Sequence, residues 1–140
     1  MTFAMPTHTD DMLGFGVAFA IGLLIGIERE RNKGGGPDRA AAGVRTFILV
    51  ALVGAIAQRL GGVGIAVGGA FVALAALASY RRSRSGDPGL TTEVAMLVTF
   101  LLGVLAMIAL PLAAGLGVVV AAVLASKSTL HRFVRDTLAE

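Results

Sequence analysis

The sequence predicts an all-α membrane protein with five transmembrane helices, and three observations predict it. Hydrophobic residues make up 56% of the 140-residue chain and charged residues 15%, with a mean hydropathy of +0.83. A water-soluble fold of this size would leave much of that apolar surface in water, a conflict that lipid as solvent removes. Second, the charges are gathered into short segments between long uncharged runs. Third, counting those runs as membrane crossings puts nearly all the basic residues on one side.

The first run lies between Asp11 and Glu28, 16 uncharged residues that end at Ile27 within "GLLIGIERER". With its flanking residues at the interfaces it is long enough for a span over 11–28. Nothing basic precedes it in "MTFAMPTHTDD". A secretory signal opens with a basic region, so this span is expected to be retained. A polar loop follows, in which "KGGGPD" reads as a turn; no Gly-Lys-Ser/Thr follows it to make a phosphate loop.

Arg45 and Arg59 enclose only 13 uncharged residues. The second span therefore takes 43–61, both arginines reaching outward along their aliphatic stems. The third covers 62–80 and ends at Tyr80, a side chain suited to the interface. After "RRSRSGDPG", Glu93 is followed by 33 uncharged residues. One helix of that length would reach roughly 50 Å against a hydrocarbon core of about 30 Å. Pro111, near the middle, divides the run into spans over 90–110 and 112–127.

Charge placement orients these spans. With the N-terminus outside and the C-terminus inside, eleven of the twelve Lys and Arg residues lie inside and only Arg59 lies outside. Without a turn at Pro111 the split falls to eight against four, so the positive-inside rule favours five spans. The tail "KSTLHRFVRDTLAE" spaces Leu130, Phe133, Val134 and Leu138 helically, with Lys127, Arg132 and Arg135 between them. That pattern suits a short amphipathic helix on the anionic inner leaflet; a helical end frayed into water is the alternative. Gly43-Val44-Arg45-Thr46 and Gly89-Leu90-Thr91-Thr92 open spans two and four from the same side, as a parallel repeat of two hairpins would.

The candidate site lies at the inner ends of three spans. Glu28 is the first charge after the first apolar run, and Arg31 follows at i+3, within pairing reach. Arg45 and Thr46 open span two; Thr91, Thr92 and Glu93 open span four. A carboxylate at the edge of hydrocarbon is tolerated when it faces the bundle and finds a partner. Two readings follow. In one, Glu28 pairs with Arg45 and pins spans one and two together. In the other, Glu28, Glu93, Thr91 and Thr92 supply oxygens to a cation or proton site facing the cytoplasm. Glu93 also suits a helix N-terminus, where the dipole favours an anion. Gly22-xxx-Gly26 and Gly64-xxx-Gly68 permit close helix packing, and a homo-oligomer is expected with Gly22 and Gly26 at a helix contact within or between subunits.

Composition also excludes functions. With no cysteine there is no disulfide framework, thiolate metal site or cysteine nucleophile. His8 and His131 fall on opposite sides of the membrane, and no Ser/His/Asp set assembles, so no enzyme is expected. Topology and lipid account for the basic patches, so nucleic acid is not an expected partner.

Three stretches, "GLLIGIERE", "AAGVRTFILVALVGA" and "GLTTEVAMLVTFLLGVLA", occur in this order from about residue 13 to 127. Together they resemble the MgtC/SapB family of bacterial inner-membrane proteins. The resemblance implies about five N-terminal helices, with Glu28, Arg29, Arg45, Thr46 and Thr92 on motif positions. Some members carry asparagine where Thr91 stands, and some a soluble C-terminal domain; here residues 1–140 read as one transmembrane domain without it. The family connection implies a multi-pass protein of the bacterial inner membrane in magnesium or ion-stress homeostasis, regulating other membrane proteins. The rival is a divalent-cation or proton-coupled transporter or channel formed by a homo-oligomer, and a third reading is a structural membrane subunit. No cofactor is expected other than a divalent cation such as magnesium.

Overall fold

A computed structural model of the chain describes residues 8–31, 43–82 and 91–138. Among these the regular structure is entirely helical: α1 (His8–Arg31), α2 (Val44–Leu60), α3 (Gly62–Arg82), α4 (Thr91–Ala106) and α5 (Leu110–Leu138). α1, α2 and α3 fall on the first three uncharged runs, and the 33-residue run is divided between α4 and α5. By length and composition α1 and α3 are each sufficient to cross a membrane, while Thr91–Ala106 and Leu110–Ser126 are shorter apolar stretches. The turn at 33–38, the basic residues Lys33, Arg39 and Arg84, and Gly89 and Leu90 of the suggested repeat lie outside the described residues.

Local chemistry sets the ends. Asp10 and Asp11 sit in the first turn of α1 and Arg29 and Arg31 in its last, complementing the helix dipole at both ends. Gly61 alone links α2 to α3, with φ +93°, a conformation that favours glycine, while its amide donates to the Gln58 carbonyl at 3.2 Å. α4 stops at Ala106, four residues short of the expected end, because the chain turns over 107–109. Pro111 follows that turn in the first turn of α5, where a missing amide hydrogen costs nothing. The hairpin therefore forms just before the proline.

α5 corrects a second expectation. The amphipathic tail is no separate helix: α5 continues through Ser126 to Leu138 without interruption. No glycine or proline occurs after Gly117 to break it.

Contacts along the helices fix their directions. Gly26 lies against Val44 and Gly14 against Met107, so α1 runs antiparallel to both α2 and α4. Gly117 lies against Ile21, aligning α5 with α1. α1, α2 and α4 pack mutually; α3 packs on α2 and α4, and α5 on α1 and α4. Small residues fill the centre. A Cβ on Gly54 would collide with the Phe100 carbonyl, and one on Gly103 with the Ala51 carbonyl, so α2 and α4 cross almost backbone to backbone. Around them lie Ala51, Ala55, Ala57, Ala95 and Ala106, with Phe47 and Phe100 the large buried rings. Most of the larger aliphatic side chains of α3 and α5 point outward, as they do where the surroundings are hydrocarbon.

Candidate functional site

The polar site assembles where the end of α1 meets the start of α4. On α1 the buried positions are Gly14, Ala18, Ile21, Gly22, Ile25 and Gly26. Arg29 continues that face, three residues beyond Gly26 and seven beyond Gly22, so its guanidinium is carried into the bundle. There its Nη2 donates to the Thr92 hydroxyl, joining α1 to α4. Thr92 is buried because it opens the inward face of α4, followed by Ala95, Met96 and Thr99. Glu93 is half-buried, and its charge acts favourably on Arg29. Among the described residues Arg29 Nε and Glu93 Oε2 are both buried without a hydrogen-bond partner, a donor and an acceptor near one helix junction. Glu93 also stands in the first turn of α4, facing the positive end of the dipole.

The remaining candidates are placed differently. Glu28 is half-buried at the edge of this face and pairs with Arg31, one turn on, at 3.5 Å; the Arg31 side chain is 74% exposed. Arg45 is exposed, and among the described residues no ion pair joins it to Glu28. The Glu28–Arg45 pin expected from the sequence is thus not formed as a direct ion pair. The reason is helical phase: Arg45 precedes the buried Phe47 by two positions, about 200° around α2. Thr46, the next residue, is half-buried. Thr91 is half-buried too, and it lines a cleft of about 430 Å³ between α4 and α5 whose other walls are apolar, including Val94, Val98, Val119 and Val123.

Gly22 and Gly26 lie against the backbone of α2. A Cβ at Gly26 would stand 2.8 Å from the Val44 Cα, and one at Gly22 would stand 2.7 Å from the Ile48 Cα. Their helix contact lies within one chain. The far end of the bundle carries a second cross-helix link, Asp11 of α1 with Arg59 of α2 at 3.2 Å.

These groups do not form a cage for a hard cation, which needs several converging oxygens. Among the described residues no three His, Cys, Asp or Glu side chains converge. Glu28 has a basic partner, Glu93 has a guanidinium nearby, and the Thr92 hydroxyl accepts from that guanidinium. The arrangement is suited to fastening two helices at their ends. Sequence reasoning placed Arg29 on a family motif but gave it no partner; the signal that could have found one is the Gly22–Gly26 face that it extends.

A helical bundle with alternating chain directions, small residues inside and large apolar residues outside defines a membrane protein. The model of the MgtC family matches residues 15–133, and the chain belongs to that family. Membership points to magnesium or ion homeostasis. No curated protein and no solved structure matches the chain.

Proposed function

We propose that this is a five-pass protein of the bacterial cytoplasmic membrane, N-terminus outside and C-terminus inside, serving magnesium or ion-stress homeostasis through contact with other membrane proteins. The observation that carries this reading is the filled bundle interior. Among the described residues the buried polar ones are Thr92 and Thr99. Thr92 accepts from Arg29, and Thr99 donates to the Ala95 carbonyl at 2.6 Å. The other buried side chains among the described residues are apolar, with Phe47, Met96 and Phe100 the largest among many alanines, so the protomer offers little polar path for a hydrated ion. The alternating helix directions support an odd number of crossings, and the basic residues at the Arg29 end support that end as cytoplasmic.

Flux in proteoliposomes of the purified chain tests it. Under an imposed magnesium gradient and membrane potential, uptake should equal that of empty vesicles. In cells, deletion should slow growth in magnesium-poor medium and the wild-type chain should restore it. The rival reading, a homo-oligomeric cation or proton-coupled transporter, draws its support from the buried Glu93 oxygen, which has no hydrogen-bond partner among the described residues. Flux above background that Glu93→Gln abolishes would replace the contact reading with that one.

A further inference from the structure

We propose that a second copy of the chain covers the outward face of α5, giving a parallel pair of α5 helices. This goes beyond the contact reading above and does not depend on it. Leu116, Val119, Val123, Ser126, Leu130 and Phe133 follow one another at alternating steps of three and four, the seam spacing of a two-helix coiled coil. All six are exposed in the protomer. Beside this seam Gly115 and Ala122, seven residues apart, are also exposed, and a Cβ at Gly115 would meet open space. Small residues on a lipid-facing surface gain nothing from lipid but allow a second helix to approach.

Length identifies the occupant. α5 has 29 residues, about 43 Å, whereas the hydrocarbon core is about 30 Å. Leu130 and Phe133 stand about 30 and 34 Å along the helix from Leu110, at and beyond the reach of acyl chains. From Ser126 onward every described side chain is exposed, so α1 and α4 do not cover this stretch. An occupant that covers both the membrane part and the extension must itself be a long helix apolar over the same length, and α5 is one. Membrane insertion gives all copies one orientation, so two α5 helices related by a twofold axis along the membrane normal are parallel and matching residues meet. Arg132 and Arg135 fall off the seam, which keeps like charges apart, and Ser126, whose hydroxyl donates to the Val123 carbonyl of its own helix at 2.7 Å, leaves the seam narrow midway. The apolar cleft between α4 and α5 flanks this seam through Val119 and Val123.

The natural absence of cysteine makes the test direct. Single cysteines at Val119, Val123, Ser126, Leu130 and Phe133, and at Val118, Arg132 and Arg135 as off-seam controls, are oxidised in native membranes of the full-length chain. Disulfide dimers should form on the seam at least tenfold more than at the controls. Leu130→Glu combined with Phe133→Glu should lower cross-linking through Val119→Cys at least tenfold while monomer yield holds. Equal cross-linking at all positions would overturn the proposal. So would its absence on the seam, together with quenching of a fluorophore at Leu130→Cys by lipid-borne quenchers, because that tail then lies on the bilayer.

Discussion

α2 and α3 are joined by a single glycine, yet they use their apolar residues in opposite ways. α2 carries an arginine near each end and is enclosed by α1, α3 and α4, burying Phe47, Val50, Ala51, Gly54, Ala55 and Ala57. α3 has no charge before Arg81 but buries only Val72 and Ala76, sending Val63, Val67, Phe71, Leu74 and Leu77 outward. The two helices are about equally apolar overall, so polarity does not account for the difference. In lipid, apolar side chains gain little by leaving hydrocarbon for the interior, so close approach at particular positions, Gly54 and Gly103 above all, holds α2 at the centre. Where the small residues stand, rather than how many a helix has, sets this packing.

That contrast predicts a graded series of effects. The largest is at the α2–α4 crossing. Gly54→Leu or Gly103→Leu drives a side chain into a backbone carbonyl that no rotamer change can move, and should cost more than about 3 kcal/mol. Loss of the monodisperse peak in detergent would show it, and a stable Gly54→Leu protein would break the size argument.

Next come Arg29→Gln and Glu93→Gln. Arg29→Gln takes the donor from the Thr92 hydroxyl and Glu93→Gln removes the carboxylate charge near Arg29; among the described residues no ion pair joins the two and both are only partly buried, so each should cost about 1–2 kcal/mol. Thermal melting of both single variants and the double variant separates fastening from ion binding: fastening predicts partial recovery in the double. Arg45→Gln, by contrast, should leave the melting temperature within about a degree or two of wild type, as a surface substitution does. Gly26→Leu should cost about 1–3 kcal/mol, because α2 must shift to accept it. Smallest of all, Phe71→Ala and Leu74→Ala on α3 should leave stability in detergent or nanodiscs within about 0.5 kcal/mol, although the same truncations in a soluble core cost several. A large loss there would place α3 against an unseen partner.

The five helices were legible because uncharged runs bounded by charges mark depth unambiguously. Their ends were less so. The turn over 107–109 precedes Pro111, since a proline serves better at the start of a helix than inside a reversal. The candidate site was half legible for a related reason. Hydropathy placed Glu28, Arg29, Arg45 and Glu93 at one depth but not around the helix axes. Azimuth lies in the small residues, and those carry Arg29 inward and Arg45 outward. The Glu28–Arg31 pair was accessible from i+3 spacing alone, whereas the Arg29–Thr92 contact joins distant segments and needs the fold.

The Asp11–Arg59 pair has a consequence for biosynthesis. In the proposed orientation Arg59 is the one basic residue that must leave the cytoplasm, against the bias that holds arginines inside. Asp11 emerges from the ribosome long before it and, once α1 has crossed, waits on the far side. The arriving guanidinium then meets a carboxylate already in place, at the outer end of the helix against which α2 packs. Worth no more than about 1 kcal/mol in the finished protein, since Arg59 is 47% exposed, the pair would in that orientation serve during assembly as a receiver for the second hairpin arm. Asp11→Lys should raise the fraction of chains whose second helix fails to translocate, even where the mature fold tolerates the change.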